Sequence, residues 1–231
     1  PLSGGRSSES QLIRAIGDLA AGRLEVPFPI DEALPYDSPV DTSGPGRAVD
    51  ALFRRLHGGV QALMRELLSR PGASESHEFS SAKIFAEVIA LCVTTIEDVF
   101  DADGPRAVSI FPGPLHLAKL LYAVASDLAS FSLCRVSAPS GIDENQWWGV
   151  LRRAASKRPY LWRNHRAALS QGYLTRGISA AVSFPTGGGK STLAELKIAA
   201  TLLQGSKVVV LAPTLALVDQ TAFTLQNAFS G

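Results

Sequence analysis

The chain has 231 residues, 46% of them hydrophobic and 19% charged, with 20 Gly, 14 Pro and 2 Cys. That size buries one sizeable core and part of a second, and the apolar share excludes a disordered chain as firmly as the modest Gly and Pro content excludes a collagenous one. Net charge is +1, yet residues 1–150 hold 12 Lys/Arg against 19 Asp/Glu and residues 151–231 hold 10 against 2, balances of −7 and +8. A basic C-terminal part points to a polyanionic partner, nucleotide or nucleic acid; the plainer alternative is that it packs against the acidic N-terminal part.

Cys92 and Cys134 stand in apolar runs, too few for a disulfide scaffold and too far apart for a CxxC metal site. They read as small buried hydrophobes in a reducing, cytoplasmic compartment. The apolar runs 84–96 and 207–218 are too short and too interrupted for a bilayer span, so no membrane is expected. No basic-then-apolar leader precedes a cleavage site, and the chain opens on Pro1 rather than Met, as an excised piece of a longer protein would.

In chain order, residues 1–46 read as an irregular arm with one short helix at 10–21, because five prolines crowd the stretch after it. Residues 47–156 read as a helical accessory domain. Val49, Leu52, Phe53, Leu56, Val60, Leu63, Met64 and Leu67 recur at three and four, which predicts an amphipathic helix over 47–69. The segment PGASESHEF ends it, and the spacing predicts a second helix over 80–100, apolar almost all round and therefore central to a bundle. DADGP breaks that helix, and further helices are predicted over 115–130 and over 143–156, the latter carrying Trp147 and Trp148. His57, His77, Cys92 and Cys134 are scattered through this part and form no catalytic or metal-ligand spacing.

Residues 157–231 change character. ISAAVSF (178–184) and KVVVLA (207–212) are short, continuous, β-branched runs, with a helical pattern from Lys190 to Leu203 between them. Strand, Gly-rich turn, helix, strand is one βαβ unit of a parallel sheet. The turn reads Pro185-Thr186-Gly187-Gly188-Gly189-Lys190-Ser191-Thr192, the tail of the phosphate-loop pattern GxxxxGK[ST] with Phe184 at the opening position instead of Gly. Three successive glycines let backbone N–H groups turn inward without a Cβ in the way. The helix opening at Lys190 aims its positive end at the same point. Lys190 supplies a full charge for the β- and γ-phosphates, and the Ser191 hydroxyl is placed to ligate Mg²⁺.

PTGGGKS resembles motif I of superfamily 2 helicases and translocases, DEAD/DEAH-like, and is most similar to the RecQ-like branch. Leu211-Ala212-Pro213-Thr214-Leu215-Ala216-Leu217-Val218-Asp219-Gln220 resembles motif Ia of the same superfamily, which implies that Pro213 and Thr214 approach the phosphates of a nucleic acid strand. Upstream, Arg158-Pro159-Tyr160-Leu161-Trp162-Arg163-Asn164-His165-Arg166 resembles the adenine-reading segment, with His165 at the position of the family's Gln. Tyr160 and Trp162 are candidates for stacking on the base or for plain packing. The resemblance implies a partial RecA-like α/β P-loop fold after an all-helical module, with ATP and Mg²⁺ as cofactors. It also implies Lys190 as the catalytic residue, Pro185 to Thr192 and His165 on the nucleotide, and DNA ahead of RNA as the strand.

Two further parts of such a motor are an acidic DExx box and a transition-state arginine. After Lys190 the only acids are Glu195 and Asp219, neither in a DExx pattern. The expectation is thus the N-terminal portion of an ATP-dependent helicase, inactive alone, ending inside its first motor domain. The alternative is a helical interaction scaffold, its acidic surface near Trp147 and Trp148 meeting a partner protein, with nucleotide as a switch. A small-molecule kinase is a third reading, disfavoured because it has no need of the APT loop.

Overall fold

A computed structural model describes residues 7–25, 45–70, 80–96, 106–109, 111–185 and 187–229. Residues 1–6 and 26–44 of the expected irregular arm (1–46), the 71–79 cap with His77, Val99, the 101–105 break and Thr186 lie outside the described residues. The chain divides into two compact units between Ser130 and Phe131. This contact division falls before the expected domain boundary at 156/157. It falls earlier because the helix over Glu144–Ala155 buries Trp147, Leu151 and Ala155 within the second unit, in contact with the helix that follows the Gly-rich turn.

In the first unit, α1 (Ser8–Ala20) starts where the Ser7 hydroxyl accepts the Ser10 N–H at 3.3 Å, and it buries Leu12, Ala15 and Leu19. α2 (Pro45–Leu68) carries the stripe Leu52, Leu56, Val60, Leu63, Met64 and Leu67 and touches α1, α3 (Ser81–Leu91) and α4 (Pro112–Ser130). The central helix is therefore α2, not the 80–100 segment. Its packing on α3 depends on Gly59, where an added Cβ would run into the Phe85 ring. Glu66 ties the same pair: its carboxylate accepts the Ser81 N–H at 2.6 Å and the Ser81 hydroxyl at 2.7 Å, a negative charge at the start of α3.

The predicted 80–100 helix stops at Leu91, and the first unit is not all-helical. Val93–Ile96 form β1, antiparallel to β2 (Arg106–Ser109), in the register Val93↔Ser109 and Ile96↔Arg106. Val93, Thr94, Thr95 and Ile96 are β-branched in series; each loses side-chain freedom in a helix and fits a pleated strand.

The second unit begins by pairing its start with the segment before the site. The Leu133 N–H donates to the Pro159 carbonyl and the Leu161 N–H to the Phe131 carbonyl, both at 2.7 Å, around a bridge between Ser132 and Tyr160. α5 (Glu144–Ala155) is capped by Asp143, whose carboxylate accepts the Asn145 and Gln146 N–H groups at 3.0 Å, and it buries Trp147, whose Nε1–H donates to the Val136 carbonyl. α6 (Arg163–Ser170), α7 (Lys190–Leu203) and α8 (Leu215–Phe229) follow. The basic residues of 152–176 are exposed or half-buried. Among the described residues, the runs 178–184 and 207–212 join no sheet, which departs from the expected strand pair. Both remain in solvent, Val209 at 83% and Leu211 at 90% exposure, so neither has the two covered faces that hold a parallel strand in place.

Candidate functional site

The site is built where the Gly-rich turn enters α7. Gly187 and Gly189 have φ values of 80° and 77°, in the left-handed region that an L side chain resists, and Gly189 is the residue that caps α7. Gly188 is held for another reason: a Cβ there would sit 2.9 Å from the Pro185 carbonyl oxygen and 3.0 Å from the Phe184 Cβ. The Gly188 N–H donates to the Pro185 carbonyl at 3.0 Å and closes the turn. Beyond it, the Thr192 N–H donates to the Gly189 carbonyl at 3.0 Å, while helix geometry leaves the N–H groups before it without a partner in α7, so the turn presents donors and the positive end of a helix together.

Lys190 is exposed, and its Nζ donates to the Phe184 carbonyl at 3.0 Å, folded back over the turn it serves. Ser191 is exposed beside it, and Thr192 accepts from Arg158 Nη1 at 3.4 Å. Arg158 also pairs with Glu195, one turn further along α7, so the head of this helix is tied to the segment before α6. Lys197 ties the other side, donating to the Tyr173 and Thr175 carbonyls at 2.9 and 2.7 Å.

His165 is 1% exposed and meets the turn directly. Its Nδ1 accepts the Trp162 N–H at 3.1 Å, so the ring proton sits on Nε2, which lies 3.0 Å from the Gly189 carbonyl oxygen and donates to it. Burial lowers its pKa, against the opposing pull of its hydrogen bonds at Gly189 and Gly188, and this favours the neutral ring. Phe184 adds a tilted ring contact, centroids 6.1 Å apart. With both nitrogens engaged, His165 offers an adenine no free donor or acceptor in this arrangement. Asn164, which sequence reasoning passed over, donates from Nδ2 to the Gly188 carbonyl and accepts the His165 N–H, each at 2.9 Å. A polar residue beside His165 at a helix start was the available signal.

Tyr160 is half-buried in the bridge to Ser132, and burial pushes its hydroxyl up to about 12, whereas Trp162 is 65% exposed. Pro213 and Thr214 lie exposed at the start of α8. The Thr214 Oγ1 accepts the Leu217 N–H at 3.3 Å as a helix cap, and its hydroxyl hydrogen remains able to donate to an anion.

A glycine turn, an exposed lysine and a helix N-terminus thus lie together here, each a kind of group that suits an anion. Residues 163–231, the span from α6 through α8, match the family model of the DEAD/DEAH box helicases, a family that in general uses ATP with Mg²⁺ and binds nucleic acid. No curated protein and no solved structure gives a match. Among the described residues, no group of three or more His, Cys, Asp or Glu could hold a metal, and no helix is long and apolar enough to cross a membrane.

Proposed function

We propose that this chain contributes the phosphate loop and a strand-contacting loop of an ATP-dependent helicase or translocase of the RecQ-like branch, acting on DNA ahead of RNA. The observation that carries the reading is the turn itself, where two left-handed glycines, Lys190 and the start of α7 lie together. Residues 185–192 hold the triphosphate in this reading, with Lys190 leaving the Phe184 carbonyl to meet it and the exposed Ser191 hydroxyl taking Mg²⁺. ATP with Mg²⁺ supplies the phosphoryl bond whose cleavage drives the motor. Pro213 and Thr214 take a phosphate of the strand at the head of α8.

The fold that goes with this reading is a RecA-like sheet with 178–184 and 207–212 as strands. Their exposed β-branched side chains support it, being surface that only sheet neighbours and covering helices remove from water. Turnover requires an acidic Mg²⁺-holding box, which the acids after Lys190, Glu195 and Asp219, do not provide. Residues 47–156, mostly helical, serve as an accessory domain for a protein or DNA partner.

The test is ATP-dependent unwinding of forked DNA and forked RNA by the chain that carries these residues with its acidic box, beside Lys190→Ala. Unwinding of DNA that disappears in the variant supports the reading. Mg–ATP binding with neither unwinding nor strand-stimulated hydrolysis moves the function to a nucleotide-switched helical scaffold.

A further inference from the structure

Two neighbouring side chains on α6 hold two neighbouring carbonyls of the phosphate loop. Asn164 Nδ2 donates to the Gly188 carbonyl at 2.9 Å, and His165 Nε2 donates to the Gly189 carbonyl at 3.0 Å. The described chain has no cis peptide bond. In a trans peptide the carbonyl of one residue and the N–H of the next point to opposite sides of the plane. Fixing the Gly188 carbonyl toward α6 therefore turns the Gly189 N–H away from it, and fixing the Gly189 carbonyl does the same for the Lys190 N–H. These are donors of the turn at the head of α7, where an incoming phosphate meets the loop.

The fit is close enough to depend on glycine. A Cβ at position 189 would come within 2.2 Å of His165 Nε2, and one at 188 within 3.4 Å of Asn164 Nδ2. The His165 tautomer is set from its other side by the Trp162 N–H, so the ring presents a donor, not an acceptor, to the loop.

We infer that Asn164 and His165 form a two-point clamp that orients the Gly189 and Lys190 N–H groups, so that His165 is a positioning residue of the phosphate loop and not a reader of the base. The inference rests on the nucleotide reading of this loop. It makes the contribution of residue 165 independent of which base the ligand carries, because the clamp acts on donors that meet phosphate alone.

The experiment compares the 231-residue chain with His165→Asn and His165→Gln. Asn retains an acceptor for the Trp162 N–H but is too short to reach Gly189, whereas Gln retains a donor of the right reach. Affinities are measured for ATP, GTP and inorganic tripolyphosphate, each with Mg²⁺. The Asn variant weakens all three by the same factor, roughly three- to ten-fold, the ratio one hydrogen bond carries, and Gln restores them. Loss of ATP alone, with GTP and tripolyphosphate unchanged, overturns the clamp and makes His165 a base reader.

Two ligand-free readouts keep this separable from failure of the nucleotide reading. Nitrogen NMR of the wild-type ring near neutral pH shows the proton on Nε2; a proton on Nδ1 overturns the clamp. The Lys190 amide-nitrogen resonance, which responds to the hydrogen bond on the preceding Gly189 carbonyl, shifts in the Asn variant and returns in Gln; an unmoved resonance overturns it. If the wild type binds none of the three ligands, the proposed function fails while these readouts still decide the clamp. If the Asn variant does not fold, the wild-type tautomer decides it.

Discussion

The two units treat their apolar residues differently. In the first, Leu56, Val60, Leu63, Leu67, Phe85 and Val88 are all 0% exposed, and each lies on a helix whose neighbours belong to the same unit. In the second, α8 buries no residue, and Val209, Leu211, Leu215 and Phe223 are between 67% and 90% exposed. The cause lies in the kind of element each pattern specifies. An amphipathic helix has one stripe to cover, and α2 finds α1, α3 and α4 to cover it. A continuous β-branched run of the parallel type has two faces to cover and needs strand neighbours as well, which helices alone do not supply.

The largest expected effect tests that contrast directly. Leu63→Ala removes a fully buried side chain and costs about 2–5 kcal/mol of stability, whereas Leu211→Ala, at 90% exposure, stays within about 0.5 kcal/mol. The three tryptophans, Trp147, Trp148 and Trp162, all lie in the second unit, so their fluorescence follows that unit while far-UV circular dichroism follows both. In urea, Leu63→Ala moves the dichroism transition well ahead of the fluorescence one. An equal loss from Leu211→Ala would show that 207–212 is covered in solution, and the contrast would collapse.

Glycine gives a second, smaller comparison. Gly59 in α2 and Gly149 in α5 each replace a better helix former by the worst ordinary one, a difference of about 1 kcal/mol against alanine. At Gly59 the added methyl meets the Phe85 ring, and at Gly149 it meets nothing within 4 Å. Gly59→Ala is therefore expected to destabilise by about 1–3 kcal/mol despite its propensity gain, and Gly149→Ala to stabilise by up to about 1 kcal/mol. Thermal melts of the two variants should move in opposite directions. A stabilised Gly59→Ala would mean that α3 sits further from α2 than described.

These pairs also show which features of the fold were legible in the sequence. The α2 stripe was, because each member is local to one helix and the period alone reveals it. The end of α3 was not: Val93 and Ile96 continue the apolar spacing of the helix before them, and only the β-branching of 93–96, weighed against a partner at 106–109, makes a strand. Nor was the place of α5, since its Trp147 face specifies burial without specifying that α7 lies in contact with it. The Gly-rich turn before α7 was legible because its residues are contiguous. His165 was visible only as a position in a family pattern, and the use of both its nitrogens follows from a contact 24 residues away, which no spacing rule contains.

The remaining effects separate the units by pH and end on the smallest. In the second, burial pushes Cys134 up to about 11, so the folded state holds that proton more tightly than the unfolded chain does. The resulting stability is complete below the ordinary thiol value and disappears as pH rises through about 11, a loss of about 1–2 kcal/mol once partial solvent screening is allowed for. Cys134→Ala flattens that alkaline limb in the tryptophan signal. In the first unit the sign reverses. The Ser8 hydrogen bond, and after it the Arg54 guanidinium with Nε at 2.9 Å, hold the Asp50 carboxyl below its usual value. Its contribution is present above the unfolded carboxyl value and lost as pH falls through the lower folded one, and exposure limits it to a few tenths of a kcal/mol. Asp50→Asn should shallow the acid limb of the dichroism-monitored melt and leave the tryptophan limb unmoved. Parallel acid limbs in the variant and the wild type would place the acid sensitivity of the first unit elsewhere than on α2.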